Sequence, residues 1–93
     1  HVDYARKIAG IDHIGIGSDF DGVTSYPNGL TGPADYPNLF AELLRRGYSA
    51  EDLKKISSGN VLRVLERAEQ VAARLQGERG PSEMRFSAEA AAR

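Results

Sequence analysis

His13-Ile14-Gly15-Ile16-Gly17-Ser18-Asp19-Phe20-Asp21-Gly22 reads as a short buried strand running straight into an acidic turn. Alternate side chains of a strand share a face, so Ile14 and Ile16 point one way while His13, Gly15, Gly17 and Asp19 point the other. In an ordinary half-buried sheet the face opposite the core carries solvated polar side chains; here it is nearly bare and ends in a carboxylate. That pattern suits a strand of a closed barrel. Outward residues then pack under helices, inward ones crowd the axis, and a polar group at the carboxyl end reaches the barrel mouth. Asp19 is the residue so placed, with Ser18, Phe20, Asp21 and Gly22 as the loop around it.

Upstream, Val2, Ala5, Ile8 and Ala9 recur about once per helical turn and Gly10 supplies a stop, so a helix precedes the strand. Helix, tight turn and strand make half of a repeating α/β unit. Downstream, Asp21-Gly22, Pro27-Asn28-Gly29 and Gly32-Pro33 mark Ser18 to Tyr36 as one long loop, a length associated with lids and binding segments. Pro37 opens a helix with the stripe Leu39, Phe40, Leu43 and Leu44, which Arg45, Arg46 and Gly47 close. Ser49 and Asp52 form a capping signal for a short helix that Gly59 ends. Asn60 caps a longer one running to about Gln76, whose apolar face includes Val61, Leu62, Val64, Leu65, Val71 and Leu75. Residues 1–76 thus form one unit, and 77–93 a tail with an alanine-rich, weakly helical end.

The chain has 93 residues, a net charge of −1 and no cysteine. Nucleic acid and anionic membranes are therefore not indicated as partners, and neither a disulfide framework nor a thiolate metal site is available. No apolar run approaches the roughly 18 residues of a membrane span. Absence of cysteine fits a reducing compartment, and a cytoplasmic location is the expectation. The first residue is His1, as in a fragment, so targeting signals of a longer protein lie outside the reading.

Asp19 and Asp21 could each serve as base, metal ligand or turn-former, and Asp21-Gly22 makes a good turn by itself. A calcium loop is set aside, because its glycine belongs at the sixth position and here stands fourth. A strand followed by Asp-x-Asp-Gly is also the opening motif of haloacid-dehalogenase-like phosphatases, with Asp19 as nucleophile and Asp21 as acid and base. Gly15, Gly17 and Ser18 interrupt the apolar run that leads into that motif. His1-Val2-Asp3 imitates a His-x-Asp zinc pair, but sits at a helix start and not at a strand end. His13 reads as a packed or partly exposed residue, Arg45, Arg46 and Arg63 as solvated or ion-paired. A non-enzymatic alternative is a small helical interaction module that binds a partner through an exposed Ile14/Ile16 face.

The run Ala9 to Gly22, followed by Tyr36-Pro37-Asn38-Leu39, Glu42 to Gly47 and Gly59-Asn60-Val61-Leu62-Arg63-Val64, closely resembles the C-terminal end of the membrane (renal-type) dipeptidases. The resemblance covers nearly all of residues 1–67. It implies a zinc-dependent branch of the amidohydrolase superfamily: an α/β fold, here the C-terminal portion of a (β/α)8 barrel with the last strand plus helices, not a complete barrel. It implies a dipeptide substrate, two zinc ions sharing a hydroxide, and Asp19 as the aspartate that binds the substrate amino group or handles the proton. The family's metal ligands have no match among these residues. The expectation is therefore no metal site in this chain, an inactive and poorly satisfied fragment, and an active parent that could be a homodimer.

Overall fold

The computed structural model describes residues 1–87, and among them the ordered elements are all helical. They are α1 (Val2–Ala9), a 3₁₀ turn (Ile11–His13), a second 3₁₀ turn (Pro33–Asp35), α2 (Tyr36–Arg45), α3 (Ala50–Lys54), a π turn (Lys55–Gly59) and α4 (Asn60–Glu78). The local signals act as the chain chemistry dictates. Gly10 stops α1 at φ 86°, a conformation costly for any residue with a Cβ. Gly47, at φ 91°, follows α2. Beyond it the Tyr48 N–H reaches Leu43 O at 3.0 Å and the Gly47 N–H reaches Leu44 O at 3.0 Å. This is the bond pair of a Schellman cap, and its usual apolar partners, here Leu43 and Tyr48, are both buried. At α3 the capping box is complete: Ser49 Oγ accepts from the Asp52 N–H at 3.0 Å, and Asp52 Oδ2 accepts from the Ser49 N–H at 3.1 Å.

Leu43, Tyr48 and Ile56 form the buried centre, with Val2, Ile11, Ile14, Ile16, Leu39, Phe40 and Leu53 packed around it. α1 is tied to this centre by polar contacts. The Tyr48 hydroxyl donates to Asp3 Oδ1 at 2.7 Å, Arg46 pairs with Asp3 at 2.5 Å, and the Arg6 guanidinium lies 4.3 Å from the centre of the Tyr48 ring. The Tyr48 hydroxyl and then Arg46 hold the Asp3 carboxyl below its ordinary range. His1-Val2-Asp3 is thus a helix start whose carboxylate is already engaged.

Several expectations are corrected. Residues 11–13 curl into a 3₁₀ turn and Ile14 is extended (φ −121°, ψ 150°), but no strand forms among the described residues. A strand needs a neighbour, and one backbone bond joins this segment to another element, from the Ile16 N–H to Ile56 O at 3.2 Å. The parity nevertheless holds: Ile14 and Ile16 face the core, whereas His13, Gly15, Gly17 and Asp19 are exposed. The Ile14/Ile16 face is therefore packed and not free for a partner.

Gly59, moreover, ends no helix. The path from α3 to α4 is continuous through the π turn, in which the Asn60 N–H reaches back to Lys55 O and not to Ile56 O. Ile56 O accepts from Ile16 instead. A Cβ on Gly59 would lie 3.2 Å from Lys54 O, so the tight turn explains the glycine. Asn60 has helical angles (φ −65°, ψ −46°) and caps nothing. α4 ends at Glu78, slightly beyond the expected Gln76. The alanine-rich end expected to be weakly helical falls mostly on 88–93, outside the described residues.

The molecule measures 51 Å along its longest axis. Val61, Leu62, Val64 and Leu65 remain 53–60% exposed along α4. The radius of gyration is 19.1 Å, against about 12 Å for a compact domain of this length. The accessible surface is 7717 Å², where a compact protein of 10.1 kDa would show about 5300 Å².

Candidate functional site

Asp19 stands where the extended segment turns. Its φ is 55° and that of Asp21 is 67°, both in the left-handed region that aspartate tolerates better than most residues. The Gly22 N–H donates to Asp19 O at 3.0 Å, closing a four-residue turn with positive φ at its third position. The Asp19 carboxylate folds over Gly22, so that a Cβ there would lie 2.5 Å from Oδ1. A side chain at position 22 would compete with the Asp19 carboxylate for this space and displace it. Asp19 itself is exposed, and Gly17 before it has open space where a Cβ would be.

The other loop residues anchor this turn. Phe20 is half-buried between Tyr26 and Tyr36, with ring centres 5.6 and 5.7 Å away. The Asp21 N–H donates to the Tyr26 hydroxyl at 3.0 Å. Ser18 is half-buried; Asp21 and Gly22 are exposed. Farther along, Asp35 Oδ2 accepts from both the N–H and the hydroxyl of Thr31 at 2.9 Å, which lowers the Asp35 pKa. Asn38 Nδ2 donates to Gly29 O at 3.2 Å. The long loop is thus held by its own side chains and by the start of α2.

A second set of contacts, invisible to the reading of Asn60 as a cap, holds the other end of the segment. Asn60 is 4% exposed. Its Nδ2 donates to Ile11 O at 2.7 Å and to Ile14 O at 2.9 Å, and its Oδ1 accepts from Arg63 at 2.9 Å. Arg63 also donates to Asp12 O at 2.6 Å. The available signal was the position of Asn60 four residues after the buried Ile56, where a polar residue on an inward helix face needs partners. Nearby, Lys55 pairs with Asp12 at 2.8 Å, and its hydrogen bond lowers the Asp12 pKa. His1 and His13 are exposed, and Arg45 and Arg46 both pair with Glu42.

Among the described residues no three His, Cys, Asp or Glu side chains converge to hold a metal ion. Asp19 and Asp21 put two exposed carboxylates on one braced turn, an arrangement that can bind a cationic group.

Residues 1–79 match the membrane dipeptidase family, peptidase family M19. Curated relatives agree. Dipeptidase aclJ of Aspergillus oryzae is 49% identical over 72 residues, which are 77% of this chain and 17% of that protein. Dipeptidase tcpJ of Claviceps purpurea is 47% identical over 77 residues, 83% of this chain and 18% of that one. Dipeptidase ataJ of Aspergillus terreus is 47% identical over 78 residues, 84% and 19% respectively. The chain therefore spans less than a fifth of the length of these relatives. Against matches of this extent, the short Asp-x-Asp-Gly likeness to phosphatases has no support.

Proposed function

The chain belongs to the membrane dipeptidase family, and on that premise we propose that it forms the C-terminal portion of a zinc-dependent dipeptidase barrel and brings Asp19 to the substrate. The observation that carries this is the exposed carboxylate at the end of a glycine-interrupted extended segment whose isoleucines are packed. Flanked by neighbouring strands, residues 14–19 would be the closing strand of the barrel, and residues 18–22 would border its mouth. The surface excess and the exposed apolar residues of α4 fit a piece that a larger body covers.

In this role Asp19 does one of two related things. It neutralises the ammonium of the dipeptide, fixing which end faces the reacting carbonyl, or it takes a proton from the attacking water and passes it to the departing amine. In the second case the water oxygen bonds to the carbonyl carbon, the C–N bond breaks, and two amino acids leave. The zinc ions that the family resemblance implies do not fit the described residues, whose acids and histidines form no ligand cluster. Their ligands are assigned to other parts of the longer protein.

The test compares the isolated chain with its full-length parent. The isolated chain is expected to bind no stoichiometric zinc and to hydrolyse no dipeptide, while the parent does both. Asp19→Asn in the parent is expected to lower kcat/KM by about 100-fold or more, the scale of a lost acid-base group. Stoichiometric zinc with turnover by the isolated chain, or full activity of Asp19→Asn, would overturn the proposal.

A further inference from the structure

The contacts that Asn60 and Arg63 make are unlike those of ordinary helix residues. Within one turn of α4 they bind the carbonyls of Ile11, Asp12 and Ile14, all in the bend that launches the segment toward Asp19. Both Asn60 amide hydrogens are used, and Arg63 fixes the amide orientation by donating to its oxygen. Asn60 is buried and Arg63 exposed, so the clamp has one fixed jaw and one reachable from solvent. These are main-chain acceptors, and binding them sets the direction in which the backbone leaves the bend.

We propose that Asn60 and Arg63 are positioning residues of the active site, acting on substrate only through the backbone that aims Asp19. The proposal rests on the reading of Asp19 given above. It adds that the α4 turn, remote in sequence from the acidic loop, sets the reach of that carboxylate. With Asp19 in its proton-handling role, displacing it by about 1 Å costs rate rather than substrate affinity, so the consequence falls on kcat.

Arg63→Lys in the full-length enzyme is the discriminating variant. Lysine keeps the charge but has one nitrogen in place of a fork, and cannot reach both Asp12 O and Asn60 Oδ1 in the same geometry. The expected result is a kcat lowered about tenfold, KM within about twofold, and zinc content and thermal midpoint equal to those of the wild type. Asp19→Asn and the double variant are measured beside it. If Arg63 acts through Asp19, the double variant is no slower than Asp19→Asn alone. A wild-type kcat for Arg63→Lys, or losses that multiply in the double variant, would overturn the positioning role while leaving Asp19 in place. A wild-type rate for Asp19→Asn would instead remove the premise, and the inference with it.

Discussion

Replacing Asn60 separates two kinds of damage that the clamp geometry makes distinct. Asn60→Ala removes the donors to Ile11 O and Ile14 O, at 2.7 and 2.9 Å, and leaves a small space that water can enter. Each such bond is worth about 1 kcal/mol net, so the expected cost is about 2 kcal/mol. Asn60→Asp keeps the shape but turns an oxygen toward the same two carbonyl oxygens. Two acceptors are then stranded at roughly 1–3 kcal/mol each, partly offset by the nearby Arg63, for a total of about 3 kcal/mol. The isosteric change should therefore be the worse one. Native-state amide exchange of Ile16 in the full-length protein is a local reporter, because its N–H is bonded to Ile56 O just beyond the clamp. Exchange should quicken about 30-fold in Asn60→Ala and about 150-fold in Asn60→Asp, taking roughly 1.4 kcal/mol per factor of ten. Unchanged exchange in both variants, or a milder effect for aspartate than for alanine, would refute the assigned orientation of the amide.

Gly22→Ala places a methyl where the Asp19 carboxylate lies, 2.5 Å from Oδ1. A short exposed side chain can swing aside at little cost, so the thermal midpoint should hold while kcat/KM of the full-length enzyme falls about tenfold; undiminished activity would contradict the proposed placement of the carboxylate. Tyr26→Phe keeps the ring against Phe20 but loses the acceptor for the Asp21 N–H. Exchange of the Asp21 amide should quicken several-fold, about 1 kcal/mol or less at an exposed bond, and an unchanged rate would remove Tyr26 from the turn. For pH, hydrogen bonds from Arg45 and then Arg46 lower Glu42 to about 2. A depressed carboxylate pKa stabilises the fold above the unfolded value of about 4.3 and ceases to do so as pH falls through the folded value. Helix content followed by circular dichroism should therefore hold down to about pH 5 and decline from there toward about pH 2, less steeply in Glu42→Gln; the group is exposed, so added salt should weaken the effect.

The parts of the fold legible in the sequence were those governed by chain-local chemistry. Gly10 and Gly47 stop helices because only glycine adopts their positive φ cheaply. Ser49 and Asp52 cap α3 through bonds that span one turn. The alternation of Ile14 and Ile16 with glycines also survived, because successive side chains of an extended backbone point to opposite sides whether or not strand partners are present. The misreading at Gly59 and Asn60 has a different origin. A Gly-Asn pair after a short helix is the usual sign of a break, whereas here the chain continues through a π turn. Two tertiary demands replace local propensity at that point: an acceptor for the Ile16 N–H and donors for the bend at 11–14. Asp19 was legible as the end residue of a bare face. Its seat over Gly22 and the brace from Tyr26 were not, since both arise from how the loop folds back.

The same distinction bears on where the stability of this chain resides. Among the described residues the buried centre is Leu43, Tyr48 and Ile56, supported by partly covered neighbours. Val61, Leu62, Val64 and Leu65 are each more than half exposed, and completing their burial would contribute about 1 kcal/mol apiece. Four such gains approach the lower end of the 5–15 kcal/mol that separates folded domains from unfolded chains. They lie on the same helix that carries Asn60 and Arg63. Covering the outer face of α4 would therefore steady the clamp as well as the helix, because the helix turn that binds the 11–14 carbonyls can be no more rigid than the helix it belongs to. On the proposed role of Asp19, a carboxylate aimed through this clamp would be well positioned only once a larger body covers α4, which would link assembly of the fold to competence of the site through one element.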